Sequence, residues 1–265
     1  MHNFIVSILK RTMKNYNAIW VSDVHLGRSE SQHLKLLVFL KSLETEDGHG
    51  YRVKTLYLNG DIIDVTNFQK KPFFSDHLTV IKKILRMKDK GVNIVYILGN
   101  HEAPLKNYIF ENDDVEYNGI QFKKHAIHTA INGSRYLVIH GDQFDGIIRT
   151  HPIVYKLGDA AYGLMNFINH VQNKIRRVFG KEEWSFAHWI KSKAKGAVKF
   201  VANFENIIVD YAKKYEVDGV MAGHIHMPED RMIDGIHYLN SGTWVEICSA
   251  IVEDMEGNIS VQRYD

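Results

Sequence analysis

The sequence predicts an α/β fold, in which strands alternate with helices that cover the sheet faces. Three observations carry this. Five apolar runs, "AIWVSDVHLG", "KTLYLNGD", "VNIVYILGNHE", "SRYLVIHGD" and "DGVMAGHIH", each finish in Asp, Asn or His just past the last apolar position. Helical stretches separate the first three runs. With 265 residues, 45% of them hydrophobic and 24% charged, the chain can bury one large core or two small ones.

The first strand spans Ala18 to Ser22. Leu34, Leu37, Val38 and Phe39 then recur at roughly helical spacing. After the second strand, Val80, Ile81, Ile84 and Leu85 mark another helix, which Gly91 stops. The tail, "IHYLNSGTWVEICSAIVED" and "NISVQRYD", alternates like antiparallel strands. Residues 1–17 read as an extension before a domain of residues 18–265.

Composition removes several classes. A single cysteine, Cys248, excludes an internal disulfide framework and suits a reducing cytosol. No apolar run approaches the ~20 residues of a spanning helix. A cytoplasmic protein is expected.

Ligands of open α/β sheets bind outside the carboxyl ends of the strands. That rule lines up Asp23, His25, Asp61, Asn100, His101, His140, His224 and His226 along one rim. Taken alone, Asn59-Gly60-Asp61 is ordinary turn chemistry, and a histidine beside glycine is a turn or core residue. Agreement among five strand ends is harder to dismiss, because several buried Asp and His need partners or metals. A mixed oxygen and nitrogen donor set suits Mn, Fe or Zn, and one cysteine cannot build a thiolate site.

The order Asp23-x-His25, Gly60-Asp61-x-x-Asp64, Gly99-Asn100-His101-Glu102, His140-Gly141-Asp142 and Gly223-His224-x-His226 resembles the calcineurin-like metallophosphoesterases. The resemblance implies a four-layer sandwich of two mixed sheets flanked by helices. It implies two divalent ions at the strand ends, manganese first, with iron or zinc as alternatives. Asp23, His25 and His226 would hold one ion, Asn100, His140 and His224 the other, and Asp61 would bridge. Two such ions activate water and stabilise the charge of a transferring phosphoryl group. His101 would stand beside the scissile phosphate and assist the leaving oxygen, a role natural to imidazole. Asp64 would be an outer or turn residue.

Within that superfamily, "WVSDVHLG", "LYLNGDIID", "VIHGDQFD" and "YLNSGTWVEICSAIVE" are most similar to the UDP-2,3-diacylglucosamine diphosphatases of lipid A synthesis. The similarity spans nearly all of the chain after residue 17. Those enzymes release UMP and a lipid phosphate. His101 stands where they often carry arginine, Glu102 where they carry Asp, and "GHIHMP" replaces their Gly-His-Thr-His-Arg. A phosphodiesterase acting on another nucleotide or on nucleic acid is the alternative. A non-catalytic scaffold comes third.

Residues 147–200 hold ten Lys/Arg and three acids, a net +7 in a chain of +2 overall. This basic segment lies where the resembling enzymes insert a helical lid. Its cations alternate with aromatic residues, as on a helix lying at an anionic membrane surface. Arg149, Arg176, Arg177, Trp184 and Trp189 are the candidates to meet a nucleotide-linked glycolipid. A solvated helical pair is the plainer reading. No nucleic-acid recognition motif is visible, and nothing sets the oligomeric state.

Overall fold

The computed structural model describes residues 14–65, 75–109, 114–148 and 186–264. The chain divides into two compact units, Met1–Asp142 with Ile208–Asp265, and Gln143–Ile207. The first unit contains both sheets. A seven-stranded sheet runs in the order β12-β11-β1-β2-β3-β5-β4, and a five-stranded sheet in the order β6-β7-β8-β10-β9.

Strands β1 (Tyr16–Val21), β2 (Val53–Asn59) and β3 (Asn93–Ile97) are adjacent and parallel. Both faces of these central strands are covered, so they read as continuous apolar runs rather than alternating ones. One face carries Ile19, Val21, Leu56, Leu58, Ile94 and Tyr96 into a core with helices α1 (His33–Ser42) and α2 (Leu78–Asp89). The other face carries Ala18, Trp20, Tyr57, Val95 and Ile97 into the layer between the sheets. There they meet Tyr136 and Val138 of β7 (Arg135–Val138), Met221 of β8 (Gly219–Ala222) and Leu239 of β10 (Ile236–Asn240). Trp20 stacks on Tyr57, its neighbour in register, with centroids 5.0 Å apart.

The helices match expectation in place and differ in detail. α1 buries Leu36, Phe39 and Leu40, and Leu37 and Val38 pack against the same core, so of the predicted apolar set only Leu34 is exposed. α2 buries Val80, Ile84 and Met87, with Lys83 held by Glu44 at 2.7 Å. It ends as Gly91 enters the left-handed region at φ +88 and Val92 N reaches back to Met87 O. α3 (Ala103–Ile109) and the short α4 (Asp145–Ile148) follow strand ends. α5 (Phe186–Lys213) buries Phe204, Ile208, Val209 and Ala212 in its C-terminal half.

Two expectations need correction. The tail is antiparallel in its pairings of β9 (Glu229–Ile233) with β10 and of β11 (Ser249–Asp254) with β12 (Ile259–Arg263), but β10 also runs parallel to β8, beside β9 in the five-stranded sheet. β11 and β12 instead extend the other sheet beside β1. Alternation alone cannot say which sheet a strand joins. The short strands β4 (Val115–Tyr117), β5 (Ile120–Lys123) and β6 (Ala126–Thr129) gave no readable pattern, because they are only partly covered. The first strand also starts two residues earlier than expected, with Tyr16 already buried. Of the basic segment, Arg149, Arg176, Arg177 and Trp184 lie outside the described residues, as does the side chain of Trp189.

A buried polar network ties the sheets together. His128 of β6 takes Tyr57 Oη at 3.1 Å on Nδ1 and contacts Glu253 Oε2 of β11 at 2.8 Å through Nε2. Glu253 also accepts from Asn17 Nδ2 and Ile131 N. Burial works against this carboxylate, but the hydrogen bonds from His128 and Asn17 hold it below the ordinary range. Its contribution to stability is therefore present above the unfolded carboxylate pKa and is lost on acidification through the folded one. Glu253→Ala should cost about 3 kcal/mol or more, since buried donors lose their acceptor. The urea midpoint measures this, and an unchanged midpoint would show that the network does not join the sheets.

Candidate metal centre

All the rim residues leave the carboxyl ends of strands. Asp23 and His25 follow β1, Asp61 and Asp64 follow β2, and Asn100 to Glu102 form a tight turn after β3. His140 follows β7, and His224 and His226 follow β8. Asp23, His25, Asp61, His224 and His226 have φ of 52, 51, 53, 71 and 58. Five of the eight left-handed non-glycine residues described are thus rim residues. Such strain clusters where surrounding structure dictates side-chain aim. The backbones also approach closely: a Cβ on Gly60 would lie 2.2 Å from His140 Nδ1, and one on Gly99 2.1 Å from Asp61 Oδ1.

Three groups of potential ligand atoms result, each within 4.8 Å: Asp23, His25 and His226; Asp61, His140 and His224; and His25, Asp61 and His101. The first group is the expected one for one ion. The second is that expected for the other ion, with Asn100 left to complete it. Asn100 Oδ1 is buried without a hydrogen-bond partner among the described residues.

Asp61 lies between the groups. Its Oδ1 accepts from His101 N at 2.9 Å. Its Oδ2 faces Nε2 of His140 at 3.5 Å, of His101 at 3.8 Å and of His25 at 4.0 Å. Those distances are long for hydrogen bonds. They leave space for cations between the carboxylate and the three ring nitrogens. His140 Nδ1 donates to Asn59 O at 2.9 Å, which turns Nε2 toward Asp61. His25 Nε2 and His226 Nε2 are 3.2 Å apart, and His226 Nε2 is 3.1 Å from Asp23 Oδ1.

The electrostatics express the same compensation. Burial opposes a charge on Asp61, yet His140, His25 and His101 bring its carboxyl far below the usual range. Burial also opposes the His140 imidazolium, but Asp61 and Asp23 raise it to about 10. His226 is raised against burial by Asp23. His25 falls to about 4, chiefly through burial, so its lone pair is available near neutrality. Donor set, orphaned Asn100 oxygen and convergent Nε2 atoms all fit a pair of divalent ions.

Glu102 does work that the sequence did not disclose. Fully buried, it accepts from Asp61 N, Ile63 N, Gly99 N and Tyr96 Oη at 2.8–3.0 Å. Burial and Asp61 together raise its pKa. Three backbone donors from the exits of β2 and β3 and the Tyr96 hydroxyl within β3 thus share one carboxylate, which fixes the Asp61 backbone. Asp23 is held comparably: His224 N and Ser22 Oγ reach Oδ2, and Trp244 N and Thr243 Oγ1 reach its carbonyl. Only the "NSGTW" run hinted at the last contacts.

A family profile described as calcineurin-like phosphoesterase matches residues 17–228. The chain is 23% identical over 254 residues to UDP-2,3-diacylglucosamine hydrolase of Porphyromonas gingivalis (strain ATCC BAA-308 / W83), covering 89% of this chain and 93% of that protein. Among solved structures it is similar to an archaeal phosphodiesterase, at TM-score 0.43 and 14% identity over 93% of this chain and 98% of that one. It is also similar to a phosphoesterase from E. coli, at TM-score 0.40 and 12% identity over 94% and 99%.

After reconstitution with Mn2+, elemental analysis should find close to two equivalents per chain, and Asp61→Asn should lose both. A single tight equivalent in the unaltered protein would remove the shared carboxylate from the design. Glu102→Ala should weaken metal affinity roughly 10–100-fold, the usual effect of losing an outer-shell support, with titration calorimetry as the measurement.

Proposed function

This chain belongs to the calcineurin-like phosphoesterases, and from that premise we propose that it hydrolyses UDP-2,3-diacylglucosamine to UMP and a diacylglucosamine 1-phosphate. The observation that carries the chemistry is Asp61, placed between two ligand groups and beside His101. In this reading Asp23, His25 and His226 would hold one manganese ion, Asn100, His140 and His224 would hold the other, and Asp61 would serve both. When bound, the pair supplies an activated water and Lewis-acid stabilisation of the phosphoryl charge.

His101 is the acid. Its Nδ1 lies 3.1 Å from Asp64 Oδ1, which anchors that side of the ring and leaves Nε2 toward the reaction. Its side chain is 22% exposed against 1% for His140, so a substrate can reach it. Nε2 gives its proton to the oxygen that departs from the attacked phosphorus. Asp64 positions His101 and touches no substrate.

The lipid-linked nucleotide draws support from the relative of that name and from the basic, aromatic composition of residues 147–200. The protein would then work in the cytoplasm, peripherally on an anionic membrane. No described helix is long and apolar enough to cross one. One observation favours a second reading, a phosphodiesterase acting on another nucleotide: His101 occupies the place of an arginine in the enzymes this chain resembles.

A hydrolysis panel with Mn2+ separates the two, using UDP-2,3-diacylglucosamine, cyclic nucleotides, bis-p-nitrophenyl phosphate and single-stranded DNA. Turnover of the cyclic nucleotides or DNA ahead of the glycolipid would displace the first reading. His101→Ala should keep its metals and lose roughly 10²–10⁴-fold in kcat, the value of a positioned acid. The loss should shrink for p-nitrophenyl esters, whose leaving group needs little protonation; equal losses would remove His101 from that role.

A further inference from the structure

Arg28 adjoins this machinery and has no task in it so far. It lies in the loop leaving β1, where its backbone N donates to His25 O at 3.0 Å. Its Nε donates to Asp64 Oδ2, the same carboxylate whose Oδ1 holds His101 Nδ1. Its Nη2 comes within 3.4 Å of that Nδ1. Asp64 is completely buried, whereas the Arg28 side chain is 40% exposed. A buried anion therefore fixes a cation whose outer edge is open. Among the described residues, no acceptor meets Nη1.

The His101 ring sets the direction. Nε2 points to Asp61, and Nδ1 points to Asp64 and Arg28. Arg28 thus stands one imidazole beyond the bridging carboxylate, at the Nδ1 edge of the ring and across it from Nε2. A guanidinium offers paired N–H donors suited to phosphate, and Asp64 occupies only the Nε side of this one.

We propose that Arg28 determines specificity by binding the departing phosphoryl group of a phosphoanhydride substrate. This rests on the reading of His101 as the acid for the leaving oxygen. Hydrolysis forms a bond from water oxygen to the attacked phosphorus and breaks the bond from that phosphorus to the bridging oxygen. In an anhydride the bridging oxygen, protonated from Nε2, leaves on a second phosphate, whose remaining oxygens extend past the ring to Arg28. In a simple ester it leaves on carbon, and the guanidinium has no comparable anion to hold. Arg28 thereby selects diphosphate diesters over phosphomonoalkyl or aryl diesters.

The test compares kcat/KM for UDP-2,3-diacylglucosamine and for bis-p-nitrophenyl phosphate in manganese-loaded wild type, Arg28→Ala and Arg28→Lys. Arg28→Ala should lower the anhydride-to-ester ratio roughly tenfold to a hundredfold, as expected for loss of a charged hydrogen bond. Arg28→Lys should recover part of it. An unchanged ratio overturns the proposal, whether both activities fall, because Arg28 merely steadies Asp64 and His101, or neither does. A calorimetric arm measures binding of a methylene-bridged UDP-sugar analogue, which needs no turnover. Weaker binding to Arg28→Ala supports the proposal even if His101→Ala shows the acid role to be mistaken. Equal binding overturns it even if the enzyme is active on both substrates.

Discussion

A carboxylate oxygen facing three imidazole nitrogens at 3.5–4.0 Å is the constraint to which the rest of the first unit conforms. Asp61 is nearly inaccessible to water, so its charge must be met locally or not carried at all. Moving any of the three rings outward would leave it uncompensated, and moving them inward would close the space for cations. Only a frame that fixes several strand ends at once can hold that balance. The sandwich does so because β1, β2 and β3 finish side by side in one sheet while β7 and β8 finish together in the other.

Frame and site are joined by hydrogen bonds that continue past the strands. Asp23 N reaches Gly60 O, His25 N reaches Asp61 O, and Leu26 N reaches Ile62 O, so the two ligand-bearing loops pair as the strands beneath them do. Glu102 then connects the second loop to the third. Left-handed backbone at a non-glycine residue costs on the order of 1–3 kcal/mol. Five such residues at the rim persist because the cores on both faces of the seven-stranded sheet restrain the loops they occupy. Stability in the layers is thus converted into side-chain aim at their edge.

How much of this could be read in the sequence depends on the kind of signal. Buried parallel strands are continuous apolar runs, and Asp, Asn and His stand out just past them, so β1, β2, β3, β7, β8 and the polar residues at their ends were legible as five recurring strand ends. What stayed hidden depends on contacts far apart in sequence. The membership of β10 and β11 in different sheets is decided by packing, as both are buried along nearly their whole length and neither pattern names a sheet. Glu102 looked like one more polar residue in a turn, and its four donors come from Tyr96 within β3 and from Gly99, Asp61 and Ile63 on two different strand exits. Arg28 carried no motif at all, because its meaning comes from Asp64, 36 residues away.

His101 shows why geometry has to arbitrate between chemical roles. By proximity alone it could be a ligand, since it forms a group with His25 and Asp61. Its surroundings differ from those of the donors, however. His25 and His140 are sealed, with side-chain exposures of 3% and 1%, and each aims Nε2 inward among the carboxylates. His101 is more open than either, and its inner face is occupied differently: Nδ1 goes to Asp64, and Asp64 in turn holds a guanidinium. Exposure alone does not separate the roles, since the His226 side chain is 32% exposed; what sets His101 apart is the Asp64 carboxylate on Nδ1, itself held by Arg28. In the proposed reading, that same brace leaves Nε2 on the Asp61 side of the ring, for the departing oxygen. The proposed step from ligand cluster to hydrolytic site therefore turns on Asp64: by engaging Nδ1, it gives His101 a partner that would fix the ring for proton transfer rather than for metal binding.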